Sequence, residues 1–310
     1  MSIEDIKKKI ISQYSSKIQY FLPYTYKRIL AKDTTKKLDV LFFNIVKELE
    51  IKSLIECGAN EASASIIATE MGLKALAIEA NPLTFKEVTP KTNRNFAKVN
   101  IGLSDKSSWL DFNIPKSNNT AGSATFRPKR GIDYSIQQVQ TKKLDDLLEN
   151  SNYVSAPFAI WIDVEGMQAE VLMGASKTLQ NKNCILLKIE VEDLILFSEQ
   201  RFLANDVINY LNSFGFELIF RDFEFTNQYN LLFVKRELKS EIEYKISNNF
   251  IFNIKPISFI QAIQNLEFKR EIKAFLIKIL GDKLGNKISA FFGSKSSKDK
   301  LKHNQQRKVY

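Results

Sequence analysis

Four carboxylates, Glu56, Glu79, Asp163 and Glu165, stand where apolar runs of this sequence end, and three short segments carry them. In Ser53-Leu-Ile-Glu-Cys-Gly-Ala-Asn-Glu-Ala-Ser63, an apolar run turns into a small-residue stretch through Gly58. Glu56, at the end of that run, can accept hydrogen bonds from an ammonium group, whereas a carboxylate there would repel a phosphate. Glu79 closes the next apolar run, Ala75–Ile78, and lies 21 positions after Gly58. That spacing suits a carboxylate that accepts both hydroxyls of a ribose. A dinucleotide-binding domain shares it but carries a G-x-G-x-x-G turn; here Ala62 stands where a second glycine is expected, so a nucleoside without phosphates fits better. In the third segment, Ile160-Trp-Ile-Asp-Val-Glu-Gly, a strand ends in Asp163 and Glu165 and Gly166 turns the chain. Both acids project into the crevice shared with Glu56 and Glu79, although Glu165 can equally support the next helix through its dipole.

These segments need a scaffold in which strand ends converge. Apolar runs at Leu54–Cys57, Ala75–Ile78, Ala97–Leu103, Ala159–Asp163 and Ile185–Val191 read as strands. Helical stretches at 59–68, 82–95, Leu144–Leu148, Met167–Leu179 and Ala204–Phe214 fall between or after them. Alternation of this kind predicts an α/β fold with a mostly parallel, doubly wound sheet covered on both faces. Phe216–Phe220 and Leu231–Val234 read as a closing antiparallel hairpin, and 109–140 as short strands and exposed loops. The organisation read from the sequence is a helical N-terminal extension over 1–50, a catalytic domain over 51–236, a helical basic extension over 237–293 and a disordered tail over 294–310.

Composition narrows the function further. Cys57 and Cys184 are the only cysteines and His303 the only histidine, so a disulfide framework and a Cys/His zinc site are both excluded. The core has no histidine to serve as a general base. No segment resembles a signal peptide or a spanning helix, and a cytoplasmic location is expected. The formal charge is +10, and residues from Lys269 onward contribute twelve bases against three acids. Apolar residues at Ile272, Phe275, Leu276, Ile279, Leu280 and Leu284 alternate with lysines there. Such a helix either lies on the anionic inner face of a membrane or caps the domain with a solvated lysine face. Nucleic acid is not expected as a partner, for want of any nucleic-acid-binding motif, and the oligomeric state is left open.

Together with Val99–Lys106 (VNIGLSDK) and Gln140–Leu148 (QTKKLDDLL), the three segments resemble the FkbM-type methyltransferases over about Ser53 to Lys235. The run Ile162–Ala175 matches the family's I-D-V-E-G-x-E-x-x-V-L-x-G-A signature most closely. The resemblance implies a Rossmann-like class I fold and S-adenosylmethionine as cofactor. It also implies O-methylation of a sugar, glycan or glycolipid hydroxyl, with a small-molecule N-methyltransferase or a degenerate, cofactor-free scaffold as alternatives. It places Glu56, Gly58, Ala59 and Asn60 at the methionine end, Glu79 and Ala80 at the ribose, Ser104 and Asp105 at the adenine, and Asp163 beside the reacting centre. The chain departs from the family at Glu56 (usually Asp), Ala62 (Gly), Ala80 (Pro) and Trp161 (often basic). With no core histidine, Asp163 is expected as the base or a metal ligand, assisted by Glu165 or by Glu190, which otherwise has a structural role. A divalent metal is compatible with such acids, but no ligand motif supports one, and no metal residue is assigned.

Overall fold

The protein is described here by a computed structural model, which covers residues 28–88, 94–116, 124–222, 224, 227–242 and 244. The first element is helix α1 (Arg28–Glu48). Leu38, Leu41, Phe42 and Ile45 recur at helical spacing on α1 and are at most 2% exposed. They share a core with Leu54, Ala75, Leu186 and Leu232 of the sheet, so the 38–46 stretch of this helix is packed against the fold.

After α1 come β1 (Ser53–Cys57), α2 (Ser63–Glu70), β2 (Lys74–Glu79), α3 (Pro82–Glu87) and β3 (Phe96–Asn100). The chain then forms β4 (Gly102–Leu103), β5 (Ser108–Pro115), β6 (Tyr134–Lys142) and α4 (Leu144–Leu148). The second half comprises β7 (Phe158–Ile162), α5 (Gln168–Met173), α6 (Ser176–Gln180), β8 (Cys184–Glu192), α7 (Ala204–Ser213), β9 (Phe216–Arg221) and β10 (Gln228–Lys235). Among the described residues the main sheet has seven strands in the order β3-β2-β1-β7-β8-β10-β9. Its neighbours from β3 to β8 pair in parallel, and β10 runs antiparallel to both β8 and β9. This is the expected Rossmann-like class I methyltransferase arrangement, with the antiparallel hairpin closing one edge. The strand order reverses between β1 and β7, which opens a crevice beyond their carboxyl ends.

Three departures from the sequence reading have local causes. The single strand expected over 97–103 is two: the amide of Ile101 makes a sheet bond to the carbonyl of Glu79, and Gly102–Leu103 then pairs with β6 in a second, three-stranded sheet. The short strands and exposed loops expected over 109–140 include a long antiparallel pair, β5 and β6. The helix expected over 167–179 breaks at Gly174, where a Cβ would stand 2.2 Å from the carbonyl oxygen of Ser104. Asp145 caps the resumed helix, accepting from the amides of Lys177 and Thr178. The basic helix and tail expected beyond 244, and the N-terminal residues 1–27, lie outside the described residues. No described helix is long and apolar enough to cross a membrane.

Candidate active site

Strand β1 delivers the chain to a tight turn at its carboxyl end. Gly58 has φ +79, and a Cβ on it would lie 1.8 Å from the carbonyl oxygen of Asp163. Only glycine permits both the left-handed backbone and that approach. The amides of Gly58 and Ala59 donate to the carbonyl of Ile78 (2.9 and 3.0 Å), tying the turn to β2. Asn60 and Ala62 continue it with φ of 47 and 56. Ala62 therefore holds the left-handed backbone a glycine would adopt freely, at a cost of about 1–2 kcal/mol.

At the end of β2, Glu79 is 8% exposed, and each of its oxygens accepts a main-chain amide at 2.6 Å, one from Asn60 and one from Asn81. Burial raises its carboxyl above the usual range, and those amides oppose the rise. Each oxygen retains lone-pair capacity for a further donor. Glu79 lines a crevice of about 640 Å3, counted to its open mouth, along with Ala80, Ile101, Leu103, Phe112 and Phe126. Phe126 packs edge-on against Phe112 at 4.8 Å. Gly58, Asn60, Asp163 and Glu165 line the crevice too. Asn60 Oδ1 is buried there with no hydrogen-bond partner, which costs about 1–3 kcal/mol until a donor arrives.

The β7 side is a concentration of acid. One carboxylate oxygen from each of Asp163, Glu165 and Glu190 lies within 4.8 Å of the others. Desolvation raises all three carboxyls: Glu165 is pushed to about 7 and Glu190 well above its ordinary value. Lysines oppose the rise at Asp163 and Glu165, foremost Lys188 at Asp163 and Lys129 at Glu165. Lys129 Nζ sits 3.3 Å from a Glu165 oxygen, while Gln228 donates to Glu190 at 2.9 Å. Glu165 has φ +46, an uncommon backbone for that residue, and its carbonyl accepts from the Thr125 hydroxyl at 2.7 Å. Acids this close could gather around a cation, and Lys129 and Lys188 already bring ammonium groups to their surroundings.

A crevice with the amide-held carboxylate of Glu79 at one end and buried acids at the other sits at the switch point of the sheet. Residues 56–218 match the family described as the Methyltransferase FkbM domain. The chain belongs to that family. The chain is 26% identical over 161 residues to the hexuronic acid methyltransferase AglP of Haloferax volcanii, a match that covers 51% of this chain and 64% of that protein. The match thus spans less than two-thirds of the relative's length. Among solved structures, the magnesium protoporphyrin IX methyltransferase of Synechocystis PCC 6803, with bound SAM, matches at 10% identity with a TM-score of 0.40, over 76% of this chain and 98% of that one. A TehB-like SAM-dependent methyltransferase from Corynebacterium glutamicum matches at 8% identity with a TM-score of 0.33, over 75% and 97% of the two chains.

The fold brings Gly58, Asn60, Glu79, Ala80, Asp163 and Glu165 to one crevice. Four residues expected at the cofactor sit elsewhere. Glu56 faces the start of α2, where its two oxygens accept the amides of Ala64 (3.2 Å) and Ser65 (2.8 Å), so it anchors the helix and does not line the crevice. Ala59 packs with Ala62, Ala77 and Val88. Ser104 is buried beneath Gly174, and Asp105 is drawn to Arg201 at 3.0 Å; the crevice wall at this point is Ile101 and Leu103 instead. Glu190 does not line the crevice itself but adjoins Asp163 from β8. Residues that sequence reasoning missed include Phe126, Lys129, Lys188 and Glu192. Only Lys188 carried a signal, as a charge inside the apolar run Ile185–Val191.

Proposed function

We propose that this chain transfers a methyl group from S-adenosylmethionine to a hydroxyl of a sugar, glycan or glycolipid, through the domain taken as 51–236. The observation that carries the reading is the unpartnered Asn60 Oδ1 in a crevice that Glu79 and Asp163 also line. The residues present fit such a donor. Asn60 Oδ1 would accept from the ammonium of its methionine part, Glu79 would accept the ribose hydroxyls, and Ile101, Leu103 and Phe126 would flank the base. Gly58 keeps that approach clear of a side chain. When bound, the donor supplies a methyl group on an electron-poor sulfonium, and alignment of the acceptor provides much of the catalysis.

Asp163 would take the hydroxyl proton. Burial lifts its carboxyl above the ordinary range, which brings its basicity nearer to neutral pH, where a general base works best. Glu190, whose own carboxyl burial pushes well above its ordinary range, hydrogen-bonds to Asp163 and, with Lys188, opposes the rise at Asp163, which keeps Asp163 available to accept a proton. The similarity to a hexuronic acid methyltransferase supports a saccharide acceptor. The left-handed turn kept by Asn60 and Ala62 supports a working donor loop over a degenerate one.

Titration calorimetry with S-adenosylmethionine and S-adenosylhomocysteine is expected to show binding of both. Labelled methyl transfer is then measured to a panel of sugars, including glucuronic acid, glucose and their oligosaccharides. Asp163→Asn should lower turnover about 10²–10⁴-fold, the usual worth of a positioned general base. Absence of binding to either ligand would leave only the scaffold reading, and unchanged turnover in the variant would remove Asp163 as the base.

A further inference from the structure

Helix α1 lies outside the matched segment 56–218, yet one of its carboxylates reaches the acid cluster through a buried lysine. Lys188 on β8 stands in register with Trp161 on the parallel neighbour β7. Its side chain is 3% exposed, and its Nζ lies 2.6 Å from Asp39 Oδ1 and 3.4 Å from the centroid of the Trp161 ring. Phe42 meets that ring edge-on at 5.2 Å and Phe43 stacks on it at 6.2 Å, so α1 fixes both the acid and the aromatic face that seat the ammonium. Asp163 follows β7 two residues after Trp161, and its amide still donates to the carbonyl of Cys57 at 2.9 Å, which continues the pairing and puts its side chain on the side of the sheet that Trp161 faces. The charged groups around this point are Asp39 on α1, Asp163 and Glu165 after β7, Glu190 and Glu192 on β8, Asp222 and Glu224 after β9, and Lys129 from the segment before β6. Among them Lys188 is the strongest influence holding the Asp163 carboxyl down.

A buried ion pair adds little net stability over an apolar replacement. A pair whose whole role is structural would not need to stand among six further carboxyl groups. We propose that Lys188 is a positioning residue for Asp163, held by Asp39 and Trp161, so that α1 forms part of the active site. This rests on the reading that Asp163 lies beside the transferred methyl. Lys188 keeps Asp163 charged and aimed at the sulfonium, while Asp39 and Trp161 keep Lys188 from leaving for solvent.

The test compares affinities of the full chain for S-adenosylmethionine and S-adenosylhomocysteine by calorimetry. The two ligands differ by the methyl group and the sulfonium charge, so their affinity ratio reports the charge at the sulfur, whereas a general packing defect weakens both alike. Without Lys188, Asp163 takes up a proton more readily and no longer opposes the sulfonium. Lys188→Met should lower the preference for S-adenosylmethionine about tenfold, the equivalent of one unit of pKa. Asp39→Asn should lower it about threefold, and Lys188→Arg should stay within about twofold of the parent chain. A ratio that stays unmoved in Lys188→Met and Asp39→Asn while both ligands bind would overturn the proposal. Should Lys188→Met fail to fold, the surface-accessible Asp39→Asn decides alone. Failure of the parent chain to bind either ligand would instead remove the donor assignment, and this proposal with it.

Discussion

The two ends of the crevice hold their carboxylates in different ways. At one end Glu79, and behind the crevice wall Glu56, are held by main-chain amides between 2 and 19 positions away in the sequence. At the other end, Glu165 meets Lys129 from 36 positions away, and Lys188, the chief cation opposing the shift at Asp163, is seated by Asp39 from 149 positions away. An amide cradle is part of the backbone and survives most side-chain changes. A cradle of long side chains depends on each partner being present and on the helices and strands that present them. The Glu79 end, proposed to hold the donor, is accordingly a feature of one βαβ unit, while the end around Asp163 is assembled from α1, β7, β8 and the segment before β6.

Gly58 is where the two ends touch, and replacing it gives the largest expected effect. Gly58→Ala drives a Cβ into the Asp163 carbonyl and forces a left-handed backbone on alanine. Loss of donor binding by more than about 100-fold is expected, roughly the 3 kcal/mol such strain costs, together with a lower melting temperature. Calorimetry and thermal unfolding of the same sample read both; normal binding would show that the ends are independent. Glu79→Gln comes next and confines the damage to one end. It should weaken S-adenosylmethionine and S-adenosylhomocysteine alike, by about tenfold to a hundredfold, the worth of a hydrogen bond to a charged group. A selective loss of S-adenosylmethionine would mean that Glu79 acts on the sulfonium.

Glu56→Gln should change least, because Glu56 supports the helix start and lies off the crevice wall. Its effect is on stability against pH. Burial raises Glu56 from 4.5 to about 7, so the folded state holds a proton that the unfolded chain releases. The stabilisation is complete below about pH 4.5 and is lost as the pH rises through 7, up to roughly 3 kcal/mol by linkage. Denaturant unfolding at a series of pH values should show a shallower decline between pH 4.5 and 7 in the variant. An identical slope would mean that Glu56 does not titrate in that window.

Much of the donor end was legible because its chemistry is local. A strand ending at Gly58 and a carboxylate 21 positions later follow from a βαβ unit whose geometry the chain repeats by itself. Glu56 was misplaced because a strand's alternation places side chains on opposite faces, and spacing alone does not tell which face meets the ligand. Ser104 and Asp105 were misplaced for a related reason. The chain leaves the main sheet at Ile101 to join β6, a partner more than thirty positions ahead, and this turns Leu103 rather than Ser104 to the crevice.

The sequence alone determined the alternation of the main-sheet strands and helices and the glycine and acid at the Gly58 turn, because hydrophobic periodicity and turn residues act over a few positions, and its motifs carried the resemblance to the family. It also marked Asp163 and Glu165 as a pair at one strand end. The tertiary structure decided what surrounds that pair: which acids crowd it, that Lys188 lies over Trp161, and that α1 supplies Asp39. Those contacts join residues far apart in the chain, and strand register and helix packing bring them together. Desolvation then follows from that packing, and it is desolvation that raises the carboxyls of the crevice.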